Sequence, residues 1–404
     1  MAAPQLTSVD DALVHLLDGA PVITETRTVP LHQSLGRVLA TDIAVPADVP
    51  PADNSAVDGY AVRACDLGGS TVLPVSARVA AGQSPGELQP GTAVRIFTGS
   101  EIPAGADAVV MQERTETRDG GIAITAGVEP GQNIRRQGQD LRRGDTALAA
   151  GTPIRPQEMG LMGSMGIGDV PVLRRLRVAV FSTGDELVEP GQPLAPGQIY
   201  NTNRFTLTGL LEAAGCEVTR CETLRDRRQA TRESLTEAAT EADLIITSGG
   251  VSVGEEDHVR AVLEEEGGLS LWRLAIKPGK PLAFGAVAGT PVLGLPGNPA
   301  AVLVTFLVAG MPYIRHRQGN RRYCPLGEAL PASFTVAKPS IRREFLRARK
   351  ESVDGQIVVS AYPNQSSGVL SSACWGDGLA VVTENSTVSR GDTVHYYSFS
   401  ELLG

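Results

Sequence analysis

At 404 residues the chain is longer than one hydrophobic core ordinarily supports, so roughly two to four domains are expected. A formal net charge of −9 and only 4% aromatic residues exclude a general nucleic-acid or membrane-surface binder, although single sites can still be basic. The 42% hydrophobic and 20% charged residues describe an ordinary globular protein.

Five scattered cysteines, Cys65, Cys216, Cys221, Cys324 and Cys374, form no CxxC pair. They are expected to be reduced and mostly buried, and the histidines do not join them at zinc-ligand spacing. The start MAAPQLTSVDDALVHLL has no charged region ahead of its short apolar stretch, and no run of about 18 apolar residues occurs. A cytoplasmic protein is expected.

In chain order, Thr7 and Asp10 have capping-box spacing ahead of VDDALVHLL, which predicts a short first helix. From about 20 to 150, β-branched runs such as TAVRIFTGS, ADAVVMQ and GIAITA alternate with Gly/Pro turns, a β-rich pattern. IRPQEMGLMGSMGI reads as a helix with Pro156 in its first turn. From about 175 the rhythm becomes strand and helix in alternation: RLRVAVFSTG, NTNRFTLTGLLEAAG, CEVTRCETL, RRQATRESLTEAATE, DLIITSGG, DHVRAVLEEEGG, then PVLGLPGNPAAVLVTFLVAG as a strand running into a helix. The last segment returns to short strands. The expected fold is multidomain, α/β plus β: a doubly wound, mainly parallel α/β domain over 176–320, a β-rich domain over 46–140, a helical and extended linking region over 1–45 and 141–175, and a small all-β C-terminal domain over 327–404.

Ligands of open α/β sheets bind at the carboxyl ends of the strands, and three loops fall there. STGDELVEPG carries Asp185 and Glu186. TSGGVSVGEEDH carries Ser248, Gly249, Gly250 and Ser252, then Glu255, Glu256 and Asp257. LPGNPAAV carries Pro296, Asn298 as a helix N-cap and Pro299 as the first helical residue, so that free N–H groups there would face an anion. AIKPGKP adds Lys277 and Lys280 on a turn between two strands. Two ammonium groups so close repel each other unless an anion lies between them; taken alone, this is equally a solvated turn. Single carboxylates such as Asp185, Glu186, Asp226 or Asp257 are more often caps or surface charges, yet together at strand ends they suit a magnesium ion shared with ligand phosphates. That resolves the presence of acids beside an anion cradle: the glycines would hold phosphate and the acids the metal. In the β-rich region, VPPADNSAVDGYAVR presents Asp58, RIFTGSEIPAGADAVV adds Thr98, and RRQGQDLRRGD adds Asp140; from physics alone these are capped Gly/Pro turns.

PPADNSAVDGYAVR, RIFTGSEIPAGADAVV, QGQD, STGDEL, TSGGVSVGEEDHV, AIKPGKP and GLPGNP, in this order from about residue 6 to the C-terminus, resemble the molybdopterin molybdenumtransferase family, the molybdenum insertases of molybdenum-cofactor biosynthesis. Adenylyltransferase and competence-damage-like proteins share only the α/β loops, so a nucleotide pyrophosphatase reading leaves the β-region motifs unexplained. A receptor-clustering scaffold, as in fused animal relatives, is the alternative of another class.

The resemblance implies insertion of molybdenum from molybdate into adenylylated molybdopterin with release of AMP, magnesium as cofactor, and a homodimer whose cleft lies between the α/β domain of one subunit and the β-domain of the other. The molybdopterin adenylyltransferase and recipient molybdoenzymes are further implied partners; nucleic acid and membrane are not. Asp58, Thr98, Asp140, Glu186, Asp226 and Asp257 would be catalytic. Ser248, Gly249, Gly250, Ser252, Arg273, Lys277, Lys280, Pro296, Asn298 and Pro299 would hold substrate, and Asp185, Glu186 and Asp257 the metal. Arg273 stands where many relatives carry Lys, Ala52 where an aromatic is common, and Gln139 where Glu is frequent. Arg343, Arg347 and Ser371 in the tail are candidate oxyanion contacts, against the plainer reading of solvated strand charges.

Overall fold

The computed structural model describes residues 6–68, 72–125, 127–251, 257–266 and 268–403. At its centre is a six-stranded sheet in the spatial order Glu217–Leu224, Arg177–Thr183, Leu244–Ser248, Thr290–Leu295, Pro281–Val287, Ser270–Arg273. The first four strands are mutually parallel, and the last two add on antiparallel.

Alternate residues of each strand point to opposite faces. Val178, Val180, Leu244, Ile246, Leu293 and Leu295 therefore join one core, with Leu207 and Leu211 of the helix Thr202–Ala213 and with Val302 and Phe306. Ala179, Phe181, Ile245 and Val292 join the other, with Leu235 and Ala238 of Arg228–Glu241 and Val259, Val262 and Leu263 of His258–Glu265. This is the doubly wound α/β architecture expected from the alternating strands and helices.

The first helix, Val9–Leu17, buries Val9, Ala12 and Leu16 against the core of this central unit. Its cap lies one residue later than predicted. The Ser8 hydroxyl, rather than Thr7, accepts the N–H of Asp11 at 3.0 Å, which satisfies one of the donors left open by the first turn.

The strands Thr26–Pro30 and Asp169–Leu173 pair antiparallel and cover a small core of Leu39, Ile43, Val45, Ile154, Met162, Val170 and Val172. The helix Pro156–Ser164 adds Met162, with its proline at the predicted first turn. Between these segments lies the β-rich unit, whose four-stranded sheet runs Val75–Val79, Ala93–Ile96, Gly59–Val62, Ala108–Met111.

The C-terminal segment forms a second six-stranded sheet, which takes in Ile276–Lys277 from the central unit beside Arg343–Val353. It is not purely β, since Ser371–Trp375 and Phe399–Leu403 are short helices.

All five cysteines are free, but the expected burial holds only for Cys216; Cys65, Cys324 and Cys374 are exposed. Burial pushes the Cys216 thiol up to about 12. Among the described residues no helix is long and apolar enough to cross a membrane.

Candidate active site at the carboxyl ends of the central sheet

Thr183 ends one central strand and Ser248 its neighbour, and the loops that follow them open a cavity of about 750 Å³. Glu186, Asp226, Ser248, Gly249, Gly250, Asp257, Lys280, Pro296, Asn298 and Pro299 line it, joining ten residues predicted from separate motifs.

The glycines are required by close approach. A Cβ on Gly249 would lie 2.8 Å from Thr183 Oγ1, and one on Gly250 3.0 Å from the same atom; both residues have positive φ, +87° and +66°. A Cβ on Gly184 would lie 2.5 Å from the Glu186 carboxylate, so glycine there lets the acid fold back over the loop.

Two loop amides do not serve an anion as predicted. The N–H of Gly249 donates to the Leu295 carbonyl at 3.1 Å, which ties the glycine loop to the adjacent strand. The N–H of Ala300, second residue of the helix Pro299–Thr305, donates to the Ser367 carbonyl at 2.9 Å. The helix start is thus docked on the C-terminal segment. Asn298 is its N-cap by position but makes no side-chain capping bond.

The acids occupy distinct settings. Glu186 is exposed and Asp226 half-buried at the cavity wall. Asp185 does not line the cavity. It exchanges contacts with Asp226: its N–H donates to Asp226 Oδ2 at 3.3 Å, and its Oδ1 accepts the Asp226 N–H at 3.2 Å. That pair locks two strand-end loops together. Among the described residues no three His, Cys, Asp or Glu side chains converge closely enough to hold a metal on their own.

The two lysines separate. Lys280 is exposed and lines the cavity. Lys277 does not; its Nζ lies 3.1 Å from both oxygens of Glu344, which is buried in the C-terminal sheet. The expectation that both ammonium groups flank one bound anion is revised accordingly, because a protein carboxylate already meets Lys277. Arg273 pairs through its backbone with Pro281 at the edge of the central sheet and is not among the cavity residues. Ser252, Glu255 and Glu256 lie outside the described residues.

Sequence reasoning missed several walls. Arg342 and Ser367 reach in from the C-terminal segment, Tyr200 and Asn201 from the chain entering the helix Thr202–Ala213, and Thr202 and Asn203 from its first turn. Asn201 caps that helix by accepting the Arg204 N–H at 3.2 Å. Asn203 donates to Ser248 Oγ and to the Gly297 carbonyl, both at 2.7 Å, and so bridges the glycine loop and the LPGNP loop. Its Oδ1 is buried without a partner. The NTN run at the start of the predicted helix was the available signal.

Asp58, Thr98 and Asp140 lie in or next to the β-rich unit and do not line this cavity. Asp58 Oδ1 accepts both the N–H and the hydroxyl of Thr98 at 2.8 Å. The Thr98 N–H first, then its hydroxyl, hold this exposed carboxyl below the usual range. Asp140 is exposed, and its N–H donates to the Val49 carbonyl at 3.0 Å.

In the tail, Arg343 pairs with Asp10 at 2.8 Å and Glu384 at 3.2 Å. Arg347 is no solvated charge: it is fully buried, donates to Ser372 Oγ at 2.9 Å and the Ser366 carbonyl at 3.1 Å, and leaves Nη1 unpartnered. Burial without a carboxylate lowers it to about 10.

Residues 7–166 match the MoeA N-terminal region (domain I and II), 179–316 a probable molybdopterin binding domain, and 329–399 the MoeA C-terminal region (domain IV). The molybdopterin molybdenumtransferase of Haemophilus influenzae is 42% identical over 99% of this chain and 100% of its own length. The chain belongs to the molybdopterin molybdenumtransferase family. The Nostoc molybdopterin molybdenumtransferase is 36% identical over 97% of the chain and 93% of its own length. The crystal structure of the molybdopterin biosynthesis moeA protein of Pyrococcus horikoshii OT3 superposes with a TM-score of 0.83 at 31% identity, covering 98% of this chain and all of that one. Membership accounts for the union of a β-rich unit, a doubly wound unit and a C-terminal sheet in one chain.

Proposed function

We propose that the chain inserts molybdenum from molybdate into adenylylated molybdopterin and releases AMP, giving molybdenum cofactor. The observation that carries the reading is the cavity wall. Lys280 and Arg342 offer positive charge on one cavity that also presents Glu186, Asp226 and Asp257, on a chain matched along its length by molybdenumtransferases. Cations suit a phosphorylated pterin and a molybdate dianion, and a phosphoanhydride is cleaved chiefly by alignment and charge neutralisation. No nucleophilic Ser or Cys is needed.

The acids fit magnesium by chemistry, being hard oxygen donors that line one cavity. Magnesium typically takes one or two carboxylates together with ligand phosphates and waters, so Glu186 and Asp257 would need no third protein ligand. Glu186 and Asp257, with Asp185 behind them, would hold the ion, which when bound neutralises charge on the phosphoanhydride. Asp226 would orient the attacking water, and Lys280 and Arg342 would steady the oxyanions. Ser248 and Asn203 would keep the glycine and LPGNP loops in register, with Pro296 and Pro299 shaping the turn over the ligand.

The same reading makes the protein a cytoplasmic homodimer. Asp58, Thr98 and Asp140, exposed and off the cavity within one chain, would complete it from a second copy. It also treats 46–140, 176–320 and 327–404 as units joined by 1–45 and 141–175.

Purified protein supplied with adenylylated molybdopterin, magnesium and molybdate is expected to release AMP only when molybdate is present. AMP release indifferent to molybdate, or none, would overturn the assignment. A tungstate arm reports oxyanion preference.

A further inference from the structure

The strand Arg177–Thr183 has the candidate active site at its carboxyl end and a second cavity, of about 380 Å³, at its start. Seven residues of extended chain put the two roughly 20 Å apart. Arg27, Arg37, Arg174, Arg175 and Arg177 line the second cavity, against the carboxylates of Glu25 and Glu217. On a chain with a formal net charge of −9, five arginines around one concavity are a local reversal of sign.

The internal ion pairs leave part of this charge uncompensated. Glu25 serves Arg27 at 2.9 Å and Arg174 at 2.7 Å. Asp243, behind the wall, serves Arg174 at 2.5 Å and Arg177 at 3.2 Å. Arg37 donates to the Leu173 carbonyl at 2.9 Å and Arg175 to the Gly215 carbonyl at 3.4 Å. Among the described residues neither of these two meets a carboxylate within ion-pair distance. Burial, then the positive charges of Arg175 and Arg27, push Arg37 below the usual arginine range, as expected of a cation held among cations.

We propose that this cavity is a binding site for a phosphate-class dianion, either a free tetrahedral oxyanion or the phosphate end of a small ester. Guanidinium groups match such oxygens in geometry as well as charge. The volume is more than ten times a water's share of the liquid, about 30 Å³, which leaves room for an ester's organic part beside the charged head. Arg27 and Arg37 come from the antiparallel pair Thr26–Pro30 with Asp169–Leu173 and its neighbouring turn, while Arg177 opens the central sheet. A bound dianion therefore ties the two units together at the place where the chain passes between them. The site is separate from the cavity assigned to the reaction and does not depend on that assignment.

Hydrogen–deuterium exchange on the full chain tests this locally. Three arms hold inorganic phosphate, molybdate or AMP, each against chloride at matched ionic strength. At about ten times the dissociation constant, exchange over residues 25–38 and 173–178 is expected to slow about tenfold, the mass-action factor. Protection with phosphate or molybdate assigns a free oxyanion, and protection with AMP alone assigns an ester. The Arg37→Gln/Arg175→Gln pair is expected to abolish the effect while a cooperative melt shows the fold intact. Arg175→Gln alone, at an exposed position, gives the same reading should the pair fail to fold. Absence of protection in all three arms, or unchanged protection in the variants, overturns the proposal.

Discussion

Lys277 and Glu344 form an ion pair across the seam where the central unit meets the C-terminal sheet, with Nζ 3.1 Å from each carboxylate oxygen. The two residues are also register partners, in a parallel pairing of Ile276–Lys277 with Arg343–Val353. The Glu344 side chain is only 8% exposed, so removing the lysine strands a buried carboxylate. Lys277→Met is expected to destabilise the protein by about 1–3 kcal/mol, and Lys277→Met/Glu344→Leu by less than the sum of the single changes. Urea unfolding of the four members of the cycle measures this; additive effects would show that the pair contributes no coupling.

Gly249 offers a steric test of the glycine loop. It has φ +87°, and its Cβ would lie 2.8 Å from Thr183 Oγ1. Gly82 has a similar φ, +80°, with open space around its Cβ. Gly82→Ala should therefore report the left-handed backbone cost alone, about 1–2 kcal/mol. Gly249→Ala should exceed it and weaken binding of the pterin nucleotide. Equal melting-temperature losses with unchanged binding would show that Thr183 yields freely.

Asp243 sets an acid limit on stability. Burial opposes its ionisation, but hydrogen bonds from Arg174 and Arg177 outweigh burial and hold the carboxyl down to about 2, below its ordinary value of 3.8. A carboxyl depressed on folding contributes stability that is fully present above its unfolded value and is lost as pH falls through its folded value. The contribution is about 2 kcal/mol, complete above roughly pH 4–5 and fading toward pH 2. Asp243→Asn should melt lower than the parent at pH 7, and the gap should close as the pH approaches 2. A gap independent of pH would assign the loss to packing instead.

The central unit was legible because its strands and helices alternate cleanly and its loops carry Gly and Pro where chain direction reverses. Glu186, Ser248 and Pro299 fall on one cavity because parallel strands deliver every following loop to the same edge, and Lys280 joins them because it leads into an antiparallel strand that starts there. Contributions from other parts of the chain were not legible. Nothing in the local pattern of Arg342 or Ser367 marks them as walls of a cavity whose strands begin at residue 177. Nor does AIKPGKP reveal that Lys277 is neutralised by a residue 67 positions later. Arg347 shows the same limit: a strand arginine reads as solvated until the helix Ser371–Trp375 is seen to cover it and supply the Ser372 hydroxyl. The Gly249 amide looked available to an anion only while its Leu295 partner, on an adjacent strand, was unknown.

The cleft proposed between two copies makes a quantitative demand on Asp58 and Asp257. Asp58 is exposed, off the cavity, and held ionised by Thr98; Asp257 lines the cavity. Each of Asp58→Ala and Asp257→Ala is expected to lower AMP release by about 100-fold or more, the usual loss for a group acting on the reacting atoms. The melting temperature of Asp58→Ala should move little, because the side chain is exposed and its partner Thr98 is exposed as well. If the two carboxylates meet across a two-fold axis, a heterodimer of the variants has one site lacking both acids and one site intact. Random re-association of an equal mixture then restores about a quarter of wild-type activity, since about half of the dimers are mixed and each carries one working site. If both acids act within one chain, every site in the mixture lacks one of them and activity stays at the level of the separate variants. Denaturing and refolding the variants together, with AMP release measured against each refolded alone, distinguishes the two arrangements.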